Sequence, residues 1–218
     1  MIRTVSIVPA ILTSNEQDYQ TQIERIHPFT RRVQIDVTDG VFVPTQTLDI
    51  THIWWPSNWM ADLHLMVSTP SSYLDVIQKL NPSLCILHAE ANEDLTPVFQ
   101  ALRDMGIKTG LALLPSTYPG SVKAYIDAVD HVLIFAGQPG QQGGSADLIQ
   151  MEKIALIRNM KPELEIGWDG GANLSNIRAL AHADLDVINV GSAIATAENP
   201  AEMFEQLVSE IDKNGVVL

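Results

Sequence analysis

The chain has 218 residues, 46% of them hydrophobic, and a single cysteine, Cys85. Its formal net charge of −13 and pI near 4.7 argue against nucleic acid as a partner, because phosphate backbones are held by clustered Lys and Arg. No apolar run is long enough for a bilayer, the start MIRTVSIVPA lacks the regions of a signal peptide, and one cysteine cannot form an internal disulfide. The expectation is therefore one cytoplasmic domain over residues 1–218, with no membrane partner and Cys85 as a core thiol.

Apolar, β-rich runs alternate with helical patterns along the whole chain, as repeated βα units require. Strands are predicted at 5–9, 32–37, 61–66, 84–88, 109–113, 131–135, 163–168 and 187–190. Helices are predicted at 15–26, 70–80, 95–105, 121–128, 147–160, 173–181 and 200–212, and a weakly periodic one at 49–55. The basic residues Lys79, Arg103, Lys123, Lys153, Arg158 and Arg178 are expected on solvated helix faces. No Ser/Gly linker or low-complexity tract divides the chain. Eight units with right-handed crossovers close into a single-domain (β/α)8 TIM barrel, with an open doubly wound sheet as the alternative.

Three stretches place polar groups where barrel strands should be aliphatic: QIDVTDG at 34–40, DLHLM at 62–66 and GWDGGAN at 167–173. Strand side chains alternate faces, so Gln34 pairs with Asp36, Asp62 with His64 and Met66, and Asp169 opposes Trp168. A buried carboxylate is costly without a partner. In one parallel barrel Asp36, His64 and Asp169 converge at the carboxyl edge, where a metal or a proton can reconcile them. Glycine-bearing segments follow the later strands: Gly170 and Gly171, then Gly191 and Ser192, and the loop 137–145 with Gly143 and Gly144. Loops after the seventh and eighth barrel strands often hold phosphate, and in so acidic a chain backbone N–H groups would do the holding. Neither a Walker A nor a GxGxxG motif is present.

Taken in order, IVPAIL (7–12), DVTDGVFVP (36–44), DLHLM (62–66), LHAEA (87–91), the PG and GG loop (139–144), DGG (169–171) and VGSAI (190–194) span nearly the whole chain. Together they resemble the ribulose-phosphate 3-epimerases and the related allulose-6-phosphate 3-epimerases. The resemblance implies a barrel enzyme of carbohydrate metabolism that inverts C3 of a small phosphorylated sugar, ribulose 5-phosphate or a close analogue. It implies that Asp36 and Asp169 are the acid and base, and that both bind a divalent metal (Zn, Fe or Mn) with His64 as third ligand. Phosphate would fall to Gly170, Gly171, Gly191 and Ser192, with Gly143 and Gly144 in a covering loop and Met66 in the pocket. A homo-oligomer is a further implication.

Departures from the family cluster around the implied metal. The family's first metal-binding histidine is Gln34 here, a neutral oxygen ligand at best, so metal binding is expected to be weakened or lost. Its serine in the first strand is Ala10, two pocket methionines are Thr38 and Phe135, and the loop asparagine is Gln138. Three readings stay open: a working 3-epimerase, an isomerase of another phosphorylated sugar, and a sugar-phosphate-binding barrel without turnover. A decarboxylase with a DxKxxD strand is disfavoured by Thr38 and Val41. Asp39 either bonds its own loop or orients Asp36. His88 and Glu90 either support a ligating group or form a satisfied polar pair. Trp54, Trp55 and Trp59 read as packing residues, and His27, His52, His131 and His182 as residues without a site role.

Overall fold

The computed structural model describes residues 5–141 and 143–211. Eight strands, β1 (Ser6–Ile11), β2 (Arg32–Thr38), β3 (Met60–Met66), β4 (Leu84–His88), β5 (Lys108–Leu113), β6 (His131–Phe135), β7 (Glu165–Asp169) and β8 (Val187–Val190), pair in chain order into a closed parallel barrel. Runs such as HVLIF and VINV are rich in β-branched residues and bury both faces, one against the barrel interior and one against the helices.

Around the barrel lie α1 (Glu16–Ile26), α2 (Leu74–Leu80), α3 (Thr96–Asp104), α4 (Lys123–Ala128), α5 (Glu152–Met160), α6 (Ile177–Ala181), α7 (Ser192–Ala195) and α8 (Pro200–Ile211). Local chemistry sets their ends. The Asn15 side chain accepts from the Asp18 N–H to start α1, and Asn81 closes α2 in the left-handed region at φ 51°. Trp168 belongs to the large cluster that joins strands to helices, as its alternation with Asp169 requires. No described helix is long and apolar enough to cross a membrane.

The helix expected at 49–55 is a single 3-10 turn, Ile50–His52, in which Asp49 accepts from Thr51. The helices expected at 121–128 and 147–160 contain or follow the 3-10 turns Pro119–Val122 and Leu148–Met151. That expected at 173–181 shortens to α6, because the Asn173 side chain accepts from Ser175 and holds the first residues in a turn. The seventh strand shifts to Glu165–Asp169, α7 was not foreseen, and position 212 lies outside the described residues. Of the expected surface cations, Lys153 is buried and Arg158 keeps only 10% side-chain exposure. Lys153 is 5% exposed and donates to the Leu114 and Pro115 carbonyls, while Arg158 donates to the Leu164 carbonyl and pairs with Asp186.

Inside the barrel, Leu84, Ile86, Ala112 and Leu133 pack as a separate cluster. Their space depends on missing side chains: a Cβ at Gly110 would stand 2.8 Å from Ile86, and one at Gly167 would stand 2.8 Å from the His131 ring. At the amino end of the strands a polar plug completes the filling. Arg32 donates through Nε to Asp62 (2.7 Å) and through both terminal nitrogens to Glu165 (3.1 and 2.7 Å), and His131 Nδ1 lies 2.8 Å from Glu165. His131 thus has a structural place far from the carboxyl edge.

Burial works against the Glu165 charge, but the hydrogen bonds from His131 and Arg32 outweigh it and hold the carboxyl well below its usual range. A depressed carboxyl stabilises the fold above its unfolded value and loses that contribution as pH falls toward the folded one. The Glu165 side chain is 37% exposed, so screening reduces the effect. Glu165→Gln should cost about 1 kcal/mol near neutral pH, and urea titrations should show the gap from the parent closing below about pH 4. A gap unchanged down to pH 3 would remove the charge from the plug's energetics.

Candidate functional site

At the opposite, carboxyl end the strand register assembles a polar cluster. Pairing of β2 with β3 sets Asp36 beside His64, and pairing of β7 with β8 sets Asp169 beside Asn189. Gln34 sits next to Ala10 of β1, one inward layer below Asp36. Its amide Nε2 donates to Asp36 Oδ1 at 2.9 Å and to Asp169 Oδ2 at 2.6 Å, so one neutral side chain links acids 133 residues apart in sequence. His64 Nδ1 lies 2.9 Å from Asp36 Oδ1 and 3.7 Å from Asp169 Oδ2. Gln34 and His64 are fully buried, whereas the side chains of Asp36 and Asp169 keep 10% and 13% exposure toward the mouth.

Behind His64 stands a second polar layer. His64 Nε2 faces His88 Nε2 at 2.9 Å, and His88 Nδ1 faces Glu90 Oε2 at 3.3 Å. The other Glu90 oxygen accepts from the Leu114 N–H at 3.0 Å and from the Thr117 hydroxyl. Burial pushes His88 down to about 4, so the ring is neutral; Glu90 is held below its usual range because hydrogen bonds from His88 and Thr117 outweigh its burial. Asp169 moves the other way. Burial and then the neighbouring Asp36 charge raise it, against the opposing influence of His64 and the Gln34 hydrogen bond.

Asp36, His64 and Asp169 each offer one ligand atom, and these atoms lie within 4.8 Å of one another. Two carboxylates and an imidazole nitrogen form a mixed O/N set suited to Zn²⁺, Fe²⁺ or Mn²⁺. Gln34 Oε1 is buried with no hydrogen-bond partner among the described residues, and the two acids meet only the neutral Gln34 amide and the His64 ring. That imbalance fits a cation. With Nε2 turned to the acids Gln34 offers it no lone pair; a half-turn of the amide would exchange the two atoms.

Above the acids opens a cleft of about 540 Å³, counted to its open mouth. Asp36, Met66 and Asp169 form part of its wall, with Gly143, Gly170, Gly171, Gly191 and Ser192 on another side. Gly144, at φ +90° and with open space around it, is not part of that wall. Gly170 and Gly171 adopt φ +116° and +67°, and a Cβ on either would come within 2.2 Å of the backbone nitrogen of Gly137 or Ala146. The loop after β7 is therefore seated directly on the loop after β6, a contact that only glycine permits.

Other residues singled out from the sequence divide clearly. Phe135, Ala10 and Gln138 line the cleft, and the Phe135 ring centroid lies 5.9 Å from those of both His64 and His88. Asp39 bonds backbone: Oδ1 accepts from the Val41 and Phe42 N–H groups and Oδ2 from that of Ser68. Trp59 is buried, Trp55 packs partly buried against the core, and Trp54 is half exposed with its edge on Tyr19. Asn189 escaped the sequence reading. Its buried Oδ1 has no partner and it lines the cleft beside Asp169; the signal was a lone amide inside VINV.

The sequence profile described as "Ribulose-phosphate 3 epimerase family" matches residues 6–195. The ribulose-phosphate 3-epimerase of Schizosaccharomyces pombe is 27% identical over 95% of this chain and 94% of its own length. A protein of Oryza sativa subsp. japonica named ribulose-phosphate 3-epimerase, cytoplasmic isoform, is 29% identical over 94% of each. Among solved structures, a 3-hexulose-6-phosphate synthase superposes with a TM-score of 0.73 at 15% identity, covering 95% of this chain and all of that one. That likeness concerns the fold.

The seating of the two loops is open to a direct test. Gly170→Ala combines a left-handed φ with a backbone clash and should lower stability by about 2 kcal/mol or more, read as a shift in the urea midpoint. A shift worth less than about 0.5 kcal/mol would mean that the loops separate freely.

Proposed function

The chain belongs to the ribulose-phosphate 3 epimerase family, and from that premise we propose that it epimerises C3 of a phosphorylated ketose, ribulose 5-phosphate to xylulose 5-phosphate or a close analogue. The observation that carries the reading is the pair Asp36 and Asp169, bound by one Gln34 amide and exposed only toward the cleft. Inversion needs an acid and a base on opposite faces of one carbon. Two carboxyls from β2 and β7 supply both, provided that they hold one proton between them.

Asp169, pushed up by burial and by the Asp36 charge, is the natural proton holder in that pair. Asp36, as carboxylate, takes the C3 proton from one face, and Asp169 returns one from the other; the roles exchange in the reverse direction. Gln34 keeps the two carboxyls apart and aimed upward by donating to one oxygen of each. A divalent cation, held by Asp36, His64 and Asp169, would supply Lewis-acid stabilisation to the oxyanion that proton removal creates. Backbone groups at Gly170, Gly171, Gly191 and Ser192 take the phosphate, Gly143 covers it, and Met66 packs against the sugar. The reading carries a cytoplasmic site of action with it.

One observation favours a second reading, a sugar-phosphate-binding barrel without turnover. The Gln34 amide already satisfies one oxygen of each acid, which a histidine ligand bound to metal would leave for the cation.

Exchange at C3 of ribulose 5-phosphate in deuterated water separates the readings. With Zn²⁺, Fe²⁺ or Mn²⁺ supplied, the parent should exchange and Asp36→Asn should slow exchange at least about 10²-fold. A parent that binds the sugar phosphate but exchanges nothing with any of these metals would assign the non-catalytic reading. Gln34→His replaces an amide with an imidazole, and chelator competition should show Zn²⁺ held about 10-fold or more tighter. Equal affinity would take position 34 out of the metal's surroundings.

A further inference from the structure

The polar layer behind His64 has a direction. His64 and His88 bring Nε2 to Nε2 at 2.9 Å. That contact tolerates one proton: two would collide, and none would set lone pair against lone pair. Which ring supplies it is decided at the far end. Glu90 Oε1 already accepts from the Leu114 N–H and the Thr117 hydroxyl, so the carboxylate is pinned with Oε2 toward His88 Nδ1. A carboxylate is an acceptor only, so His88 Nδ1 must carry hydrogen. His88 Nε2 is then the acceptor and His64 Nε2 the donor.

We infer that Glu90, acting through His88, fixes the ring orientation of His64 with Nε2 protonated, so that Nδ1 is the nitrogen left to face Asp36 and Asp169 and, once it gives up its own hydrogen, to hold a cation between them. Glu90 and His88 are positioning residues in this scheme. Neither of them lines the cleft or is within hydrogen-bond reach of the two acids. Histidine ligands commonly donate their second N–H to a carboxylate, and here the donation is relayed through one more ring. The relay rests on the proposed metal site only for its effect on affinity. The His88 tautomer itself belongs to the metal-free protein.

The relay predicts an unusual consequence for a near-isosteric change. In Glu90→Gln the donors Leu114 and Thr117 retain the carbonyl oxygen, so the new NH₂ faces His88 Nδ1 and makes it an acceptor. The proton between the rings then starts on His88 and His64 Nε2 becomes the acceptor, so Nδ1 can no longer give up its hydrogen to a cation while the ring stays neutral.

Long-range ¹H–¹⁵N correlation spectra of the metal-free parent should show His88 protonated at Nδ1 and bare at Nε2, and Glu90→Gln should reverse that pattern. Zn²⁺ affinity by dye competition should fall about 10- to 100-fold in the same variant. A parent His88 protonated at Nε2 overturns the inference even if the variant does not fold. A reversed His88 with unchanged Zn²⁺ affinity overturns the positioning role. A parent that binds no Zn²⁺ but shows the expected tautomer removes the metal reading and leaves the relay standing.

Discussion

Two carboxyl groups, nearly enclosed and facing one another across the mouth of a barrel, cannot both be charged unless something positive or hydrogen-bonding stands between them. The architecture around Asp36 and Asp169 answers that constraint in layers. Gln34 donates to both from below, His64 meets them from the side, and burial together with mutual repulsion raises Asp169. Each answer is partial. The amide is neutral, the imidazole approaches one acid more closely than the other, and Gln34 Oε1 is left unmatched. A site balanced in this way keeps a proton or a cation mobile, which is the property that acid and base chemistry needs.

Such a cluster can persist only on a frame that does not relax around it. The barrel supplies rigidity through its interior packing, where Gly110 and Gly167 make room for Ile86 and the His131 ring, and through the plug of Arg32, Asp62, His131 and Glu165 at the other end. The two polar clusters occupy opposite ends of the same inward rows of β2, β3 and β7 and differ in what balances their acids. At the amino end Arg32 pairs with two acids: Glu165 is driven down, while burial raises Asp62 against the pull of the guanidinium. At the carboxyl end no guanidinium or ammonium among the described residues joins the cluster, and Asp169 is driven up. One end of the barrel is settled and the other is poised, as expected when stability and chemistry are separated along the strands.

Much of this was legible because strand alternation is strict. Once 32–37, 61–66 and 163–168 were read as strands, Gln34, Asp36, His64 and Asp169 had to face inward, and closure had to bring them to one edge. The shared face of His88 and Glu90 was legible for the same reason. Direction was not: the proton order along Glu90, His88 and His64 depends on Thr117 and Leu114, which reach Glu90 from the loop after β5 and leave no local pattern. Lys153 and Arg158 were misread because helical periodicity does not register carbonyls from a neighbouring loop, and those carbonyls are what make burial of the cations tolerable. Asn189 was hidden by its apolar neighbours in VINV. A single amide in a buried strand is a weak signal until its unpaired oxygen is seen beside Asp169.

Gln34 stands where the family resemblance implies a metal-binding histidine, and its effect reaches beyond the exchange of one ligand type. An imidazole at this position would offer a cation a lone pair; an amide offers the acids two hydrogens instead. It thereby lowers the free energy of the metal-free cluster, and a cation that takes the same two carboxylate oxygens has to displace those hydrogen bonds first. Hydrogen bonds to charged groups contribute about 1.5–3 kcal/mol each, so two of them are a penalty comparable with several decades of affinity. Rotation of the amide would recover an oxygen ligand, but only by giving up both donations at once. Under the proposed metal reading, position 34 would act less as a weakened ligand than as a competitor for the cation, with the balance between the two states set by how firmly His64 is held with Nδ1 outward.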